Sequence, residues 1–472
     1  HGIFQAEFEQ PGNAVIAAEQ RLSGSCPFLF TWDGTGMQFV TDFMWGAPLG
    51  VVIDGQDTTT SLQTTSWVKV RGDQLVPRDG FYDVRVLANL WETHFYDHLA
   101  LLVVDHPPGT EISVDERSAD APLVPEVIVT APPRPVARAW DQDGRDVTDL
   151  VRSADGRYLD GFRPGRFRGI AEDHWVEVDL GADVPAGGPV WLLARGWVYP
   201  PSSTVYAAIA QGKHDQPQGV VLEVPDGKGG WKVGRPALGC PAGKNKTILI
   251  RLDGIPGEGV PRRFRLRTNM EIYWDSLAYA AGLDASRAAR KRLLPDTAEL
   301  RRHGTVEMTQ ANDSSPELPH YDRVEAIGQG WRDLIGYHTR YGDVRELLAA
   351  VDDRYVIMTA GDEIALRFRA PADPPPGWKR DFVWIADGWA KDGDLNTRFS
   401  KTVLPLPAHN LKSYVTPPGR LEDDPVYRLF PQDWQKYHTR YVTPEVFEQG
   451  LRSFRRPRFI DSRNDESAPL NE

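Results

Sequence analysis

Alternating apolar and polar residues flank a turn signal near the beginning of the chain. Apolar residues occupy every second position from Phe28 to Trp32, and the alternation resumes from Met37 after the pair Asp33 and Gly34. A period of two is typical of a half-buried strand, and an Asp-Gly pair between two such runs is typical of a tight turn. The pattern therefore predicts a β-hairpin.

Similar short runs, separated by Gly, Pro and Asp, recur along most of the chain, including residues 205–210. They predict a mainly β protein built from antiparallel β-sandwich and jelly-roll domains. A Pro-rich stretch at residues 122–135 is typical of a boundary or an extended crossover. We expect an N-terminal β-sandwich at 1–120, a jelly roll at 121–284, and a mixed α+β region with short helices at 285–472.

Two helix signals lie in the last third of the chain. Asp343 is placed to cap a helix with Val344, Leu347, Leu348 and Val351 on one face. A second helix is expected after Thr443, because proline is favoured at the first helical position and Pro444 follows.

Composition narrows the class of partner. The 472 residues are 41% hydrophobic and 25% charged, with a net charge of −12. An acidic balance disfavours nucleic acid as a partner, because its binding depends on clustered Lys and Arg. No run of 18 apolar residues occurs, so no membrane span is predicted.

The termini and cysteines leave alternatives open. The chain begins at His1 without a leader pattern, so it is either a mature product or a piece of something longer. Cys26 and Cys240 either pair in an oxidising compartment or remain two buried thiols.

A calcium site is the first metal candidate. Asp392, Asp394 and Asn396 alternate in the segment KDGDLNT, so their side-chain oxygens can converge on a hard cation. The full EF-hand spacing is missing, and a network of Asx turns without metal explains the same residues.

Three histidines form a second metal candidate. His94, His98 and His106 fall within thirteen residues, and imidazoles so arranged can bind a transition metal. An ordinary half-buried strand accounts for the same alternation. A free amino-terminal His1 adds a possible copper ligand.

Aromatic residues of the central region are candidates for sugar stacking. Trp197 and Tyr199 precede two prolines and have a loop-like setting, so we predict that they bind ligand at a rim. Core packing is the alternative, and it is favoured for Trp175 and Trp274, which lie within alternating runs.

No nucleophile elbow, phosphate-binding loop or dinucleotide fingerprint occurs in the sequence. Adjacent acids at 352–353, 362–363 and 423–424 offer carboxylate pairs for glycoside hydrolysis, which requires two carboxyls at a fixed separation. The pentapeptide YHTRY occurs at Tyr337 and again at Tyr437, without matching flanks.

The segments SCPFLFTWDG, WETHFYDHLALLVVDHP and DGWAKDGDLNT resemble a region near the C-terminus of large secreted bacterial proteins. Those proteins carry FG-GAP repeats with ASPIC/UnbV segments, related to cartilage acidic protein, or tetratricopeptide repeats. The resemblance implies extracytoplasmic or periplasmic placement and no assigned activity. Separately, DHWVEVDLG and CPAGKNKTILIRLDG are similar to galactose-binding-like, discoidin-type domains, which implies a fold without fixing a ligand.

These observations favour a secreted multi-domain binding or assembly module that recognises carbohydrate or a partner protein, with calcium as a possible structural ion. A carbohydrate-active hydrolase using a carboxylate pair is the alternative from another class. A metal-dependent oxidative enzyme using His1 and the histidine cluster is a third.

Overall fold

The computed structural model describes residues 27–51, 63–119, 123–185, 188–212, 214–255, 259–325, 333–393 and 396–448. His1, Cys26 and Asp394 lie outside these ranges, so the predictions that rest on them are not addressed below. In the described part the chain is mainly β, as predicted, and its sheets are built from antiparallel ladders.

The first segment forms strands β1 (Phe28–Trp32), β2 (Met37–Asp42), β3 (Thr65–Val70), β4 (Phe81–Leu87) and β5 (Glu92–His106). The middle segment forms β6 (Glu111–Ser113), β7 (Arg117–Ser118), β8 (Ile128–Thr130), β9 (Arg134–Pro135), β10 (Arg138–Trp140), β11 (Ile170–Asp179), β12 (Val190–Val198), helix α1 (Ser203–Ala210), β13 (Val221–Pro225), β14 (Trp231–Arg235), β15 (Cys240–Pro241), β16 (Lys246–Arg251), β17 (Arg263–Met270) and β18 (Ile272–Ala281).

The last segment forms β19 (Ala289–Leu293), β20 (Thr297–Arg302), β21 (Val306–Thr309), β22 (Leu318–Val324), β23 (Gly336–His338), β24 (Gly342–Asp343), β25 (Val356–Met358), β26 (Asp362–Arg369), β27 (Lys379–Asp392), α2 (Pro425–Leu429), α3 (Pro431–Lys436) and β28 (Arg440–Val442). Short 3-10 turns lie at Thr148–Leu150, Ala285–Arg287, Arg345–Leu348 and Leu421–Asp423.

Strands from the first and last segments of the chain lie side by side in the same two sheets, which we call the terminal unit. In the described residues one sheet has the order β2-β1-β4-β26-β20-β24, and the other has the order β19-β5-β27-β3, with β25 also pairing with β5. The predicted first and third domains are therefore not separate structures. Residues 1–120 and 285–472 contribute neighbouring strands, and the middle segment is inserted between them.

The two sheets of the terminal unit share one apolar core. Val84 and Leu366 from the first sheet lie in the same buried cluster as Leu101 and Trp384 from the second. The opposite face of the second sheet is also covered, because Leu102 and other residues of β5 and β27 pack against residues of the middle segment. A strand buried on both faces reads as a near-continuous apolar run, which explains the sequence HLALLVV.

The middle segment forms two further sheets around a core of their own, which we call the central unit. Their strand orders are β10-β11-β17-β13-β14 and β16-β12-β18-β9. Val176 and Leu266 from the first sheet and Leu192 and Leu277 from the second lie in one cluster. The central unit is thus a pair of antiparallel sheets. Its jelly-roll connectivity and its likeness to galactose-binding-like domains stay predictions.

The predicted hairpin is confirmed by the pairing of β1 with β2. Asp33 Oδ1 accepts hydrogen bonds from the backbone N–H groups of Thr35 at 2.7 Å and Gly36 at 3.0 Å. Gly34 has φ of 103°, a conformation that glycine adopts without a steric penalty. Local turn chemistry therefore fixes this element, as the sequence indicates.

The helix predictions need two corrections. Residues 205–210, predicted as a strand, belong to helix α1, whose first turn is capped by Ser202 through its hydroxyl and the Val205 N–H. The helix expected after Asp343 is a single 3-10 turn at Arg345–Leu348. Of its predicted apolar face, Val344, Leu347 and Leu348 enter the core of the terminal unit, whereas Val351 is 51% exposed.

The two copies of YHTRY lie beside each other. β23 pairs antiparallel with β28, so that Tyr337 opposes Tyr441 and His338 opposes Arg440. Thr339 Oγ1 lies 3.1 Å from His438 Nδ1, which joins the copies through side chains as well. The recurrence thus corresponds to a local contact between two short strands.

A bulge interrupts the long ladder between β5 and β27. Asp387 opposes His98 and Gly388 opposes Tyr96, which leaves Asp97 without a backbone partner on β27. Gly388 has φ of 151°, and a Cβ at this position would lie 2.0 Å from the carbonyl oxygen of Phe95. Only glycine allows the two strands to approach in this way.

We expect Gly388→Ala to destabilise the protein by about 3 kcal/mol, because the added methyl group overlaps the backbone of β5. Chemical denaturation of the full chain measures this change. Gly419→Ala is the matched control, since no atom lies within 4 Å of its added Cβ, and its effect should stay within about 0.5 kcal/mol. Equal effects of the two substitutions would contradict the close approach at the bulge.

We also expect stability to fall in acid because of the two buried pentapeptide histidines. Burial lowers the pKa of His338 to about 4 and that of His438 to about 3, from 6.5. Below pH 6.5 the unfolded chain therefore binds protons that the folded chain does not, so stability decreases with falling pH by about 1.4 kcal/mol per unit for each histidine.

Urea unfolding at several pH values between 6.5 and 4 measures this slope. His338→Gln should reduce the slope by about one histidine's share. The control is His320→Gln on the surface hairpin of β21 and β22, which should leave the slope unchanged. An unchanged slope for His338→Gln would show that this imidazole does not stay neutral in the folded state.

Candidate functional site

The five-stranded sheet of the central unit carries aromatic and charged side chains on the face opposite its core. Val176, Val178, Phe264 and Leu266 point into the core, so the intervening positions of β11 and β17 lie on the other face. We call this surface the Trp-Arg face. It consists of Trp140, Asp173, Trp175, Glu177, Glu223, Trp231, Arg263, Arg265 and Arg267.

Guanidinium groups lie over the indole rings of this face. The Cζ atom of Arg265 is 4.6 Å from the ring centroid of Trp175 and 4.1 Å from that of Trp231. Arg263 approaches the ring of Trp140 at 5.5 Å. These distances are those of cation–π contacts, which fix the rings while leaving them half-buried on an open sheet.

The arginines are also held by carboxylates of neighbouring strands. Arg265 Nη2 lies 2.9 Å from Glu177 Oε2. Arg267 lies 2.6 Å from Asp173 and 3.0 Å from Glu223, and these hydrogen bonds raise the pKa of Arg267 further above its usual range. Arg263 also pairs with Glu177. Three guanidinium groups of β17 therefore lie between carboxylates of β11 and β13, so that these six side chains balance in charge.

The rings predicted as a sugar platform lie in the interior. Trp197 is 5% exposed and Tyr199 is 4% exposed, and Trp197 is at the end of β12 instead of in a loop. Its ring stacks on Tyr273 with centroids 4.6 Å apart, and its indole N–H donates to the carbonyl oxygen of Ser314 at 2.9 Å. The predicted exposed setting is thus corrected, while ligand binding by these residues stays a prediction.

The calcium prediction concerns residues on either side of a gap in the described chain. Asp392 is the last residue of β27. The Asn396 side-chain nitrogen lies 3.2 Å from both Ser203 Oγ and Thr204 Oγ1. This amide therefore contacts the start of helix α1, and the calcium site stays a prediction because Asp394 is outside the described residues.

The three histidines of the second metal candidate all lie on β5 but do not meet. His94 contacts Glu92 at 3.1 Å, His98 contacts the carbonyl oxygen of Leu348 at 2.8 Å, and His106 contacts Thr110 at 2.9 Å. A strand rises about 3.3 Å per residue, so His94 and His98 are about 13 Å apart. These residues do not form the predicted shared metal site.

The adjacent acids each serve separate contacts. Asp362 and Glu363 are fully buried on β26, where successive side chains point to opposite faces. Asp424 caps helix α2 by accepting from the Val426 N–H, whereas Asp423 pairs with Arg420 and Arg428. None of these contacts tests the hydrolase alternative, which stays a prediction.

Three carboxylates surround His409 at the bulge of β5 and β27. His409 Nδ1 lies 2.6 Å from Asp353 Oδ1 and 3.6 Å from Asp97 Oδ2, and His409 Nε2 lies 2.8 Å from Asp387 Oδ1. Asp97 is completely buried, whereas the His409 side chain is 30% exposed. We call Asp97, Asp353, Asp387 and His409 the His409 cluster.

Electrostatics in the His409 cluster favour a protonated imidazole. Burial alone lowers the pKa of His409, but hydrogen bonds with Asp353 and Asp387 outweigh burial and raise it to about 10. Burial raises the pKa of Asp97 to about 7, against hydrogen bonds from the backbone N–H groups of Asp352 and Asp353. The cluster thus concentrates carboxylates around one cation.

The sequence pattern predicts neither the Trp-Arg face nor the His409 cluster. Trp175 lies in an alternating run that favours core packing, and its partners come from strands far apart in the chain. Asp353 stands in the sequence only as one of two adjacent acids. A Gly in the middle of an apolar run, as in IADGWA, is the available signal for the bulge that brings Asp97 to His409.

Comparison with family models, curated proteins and solved structures found no match for this chain. The resemblances described above therefore stay predictions. Within the described residues, no helix is both long and apolar enough to cross a membrane.

Proposed function

We propose that this protein is a carbohydrate-binding module of a secreted multi-domain protein, and that the Trp-Arg face is its binding surface. The observation that carries the proposal is the arrangement of Trp175, Arg265 and Trp231, two half-buried indoles held on either side of one guanidinium on an open sheet face.

The chemistry of this face suits a sugar. Indole rings offer apolar surface for the C–H faces of a pyranose, and their polar edges tolerate contact with water. Arg267 supplies hydrogen-bond donors, while Asp173 and Glu223 supply acceptors. A sugar hydroxyl can use both, so each ring stacked on an indole also finds polar partners nearby.

The charge balance of the face selects among ligands. Three carboxylates face three guanidinium groups at distances of 3.0 Å or less, so these side chains offer no excess positive charge to a polyanion. A neutral glycan requires none. We therefore propose a neutral oligosaccharide as the ligand class, in preference to nucleic acid or a sulfated polysaccharide.

Preorganisation supports binding by this surface. The indoles and guanidinium groups are already fixed by cation–π contacts and ion pairs, so little side-chain entropy is lost when a ligand stacks on them. The core of the central unit keeps the backbone beneath them rigid, because Val176 and Leu266 are 2% exposed or less. Calcium bound near Asp392 would stabilise the protein without contacting this face, and it remains part of the proposal only as a structural ion.

We expect the full chain to bind neutral oligosaccharides on a glycan array, and Trp175→Ala and Trp231→Ala each to raise the dissociation constant about tenfold, because each removes one stacking ring. Isothermal titration with the best oligosaccharide from the array measures the constant. Trp191→Ala is the matched control, since this half-buried indole on the other sheet of the central unit also lies under an arginine, Arg251, at 5.4 Å.

Several outcomes would contradict this assignment. Absence of binding to any neutral oligosaccharide on the array would contradict the proposal. A dissociation constant that both Trp175→Ala and Trp231→Ala leave unchanged would contradict it too. Loss of binding in folded Trp197→Ala alone would move the site to the buried rings of the sequence prediction. Release of reducing ends during incubation would favour the hydrolase alternative instead.

A further inference from the structure

The His409 cluster has the composition of a metal site that the sequence did not indicate. One oxygen or nitrogen from each of Asp97, Asp353 and His409 lies within 4.8 Å of the other two. We propose that these three residues bind one zinc ion. The proposal is independent of the Trp-Arg face, because the cluster lies in the terminal unit.

One oxygen of the Asp97 carboxylate is buried and makes no hydrogen bond within the described part of the chain. Asp97 is completely buried, and its Oδ2 accepts hydrogen bonds from the backbone N–H groups of Asp352 at 3.0 Å and Asp353 at 3.2 Å. Its other oxygen, Oδ1, is buried and has no hydrogen-bond partner among the described residues. An orphaned carboxylate oxygen is costly in a protein interior, and a cation bound by both oxygens of the Asp97 carboxylate would remove that cost.

The distances between the ligand atoms are close to those around a tetrahedral zinc ion. Tetrahedral zinc with bonds of about 2.0 Å places its ligand atoms about 3.3 Å apart. His409 Nδ1 lies 2.6 Å from Asp353 Oδ1 and 3.6 Å from Asp97 Oδ2, so these separations bracket the required value. All three ligand atoms lie within 4.8 Å of one another, so side-chain shifts within the cluster would bring them to bonding distance from one zinc ion.

The second ring nitrogen of His409 has a carboxylate partner, as in many zinc sites. His409 Nε2 lies 2.8 Å from Asp387 Oδ1, and Asp387 Oδ2 accepts a hydrogen bond from Thr64 Oγ1 at 3.1 Å. A carboxylate that accepts the second N–H of a ligating histidine fixes the ring and leaves Nδ1 for the metal. The bulge at Gly388 places Asp387 and Asp97 for these different contacts.

The ligand set selects zinc over calcium. Calcium prefers six to eight oxygen ligands, whereas one imidazole with two carboxylates suits zinc, and three protein ligands leave one position for water. The side chains of His409 and Asp353 are 30% and 18% exposed, so solvent reaches the site from one side. Zinc would replace the imidazole proton and offset the charge of the carboxylates.

Isothermal titration of the EDTA-treated, dialysed full chain with zinc chloride tests the proposal, and elemental analysis gives the stoichiometry. We expect one zinc ion per chain and a higher thermal unfolding midpoint in its presence. Asp353→Asn and His409→Gln should each weaken zinc binding at least about 100-fold. Asp387→Asn should weaken it about 10- to 100-fold, because a neutral amide replaces the charged acceptor of the ligating imidazole's second N–H.

Asp352→Asn is the matched control, because this neighbouring carboxylate accepts from the Arg354 N–H instead and its loss should leave zinc affinity unchanged. Circular dichroism identifies any variant that fails to fold, and the visible absorption of bound Co²⁺ provides a second readout in the folded ones. Absence of zinc binding to the full chain overturns the proposal, as does undiminished binding in folded His409→Gln. Calcium binding that Asp392→Asn abolishes, with no zinc bound, would place the metal at the loop indicated by the sequence.

Discussion

The ladder between β5 and β27 is the constraint on which the rest of the structure depends. It pairs Glu92–His106 with Lys379–Asp392 across the whole inserted central unit, and near its end His106 Nε2 lies 3.3 Å from Asp381 Oδ2, 275 positions further along the sequence. Such a contact closes a long loop, which is entropically unfavourable. Burial on both faces of the sheet offsets this cost, and it makes the two ends of the chain one structure.

The same ladder places two buried carboxylates at its one point of irregular register. Asp97 and Asp387 lie at the bulge, where the regular pairing of β5 with β27 is broken. There Asp97 accepts from backbone N–H groups of a neighbouring loop and Asp387 contacts His409. The close approach of the strands at Gly388 and the charges of the His409 cluster are thus two results of one irregularity.

Elements that depend on neighbouring residues are predictable from the sequence, whereas pairings between distant segments are not. The hairpin after Phe28 was predictable because Asp33 and Gly34 determine its turn within a few residues. The interleaving of residues 1–120 with 285–472 was not, because alternation shows that a strand has a buried face but not which strand it pairs with. Residues 205–210 were misassigned because Ser202, a capping residue, outweighs a short apolar run. His409 has no apolar period or motif around it, so only the fold shows that it meets Asp353.

The contrast between Trp175 and Trp197 shows why an open face is the better candidate for recognition. Both belong to strands of the central unit, and both face away from its core, since Leu192 and Val198 on either side of the Trp197 position lie in the core cluster. Trp197 is nevertheless buried against Tyr273 and Ser314, where it joins the central unit to the last segment of the chain. Trp175 is only half-buried beside Arg265 on the Trp-Arg face. The difference between the two indoles is therefore what covers the outer face of each sheet, which the alternation of apolar residues within a strand does not show.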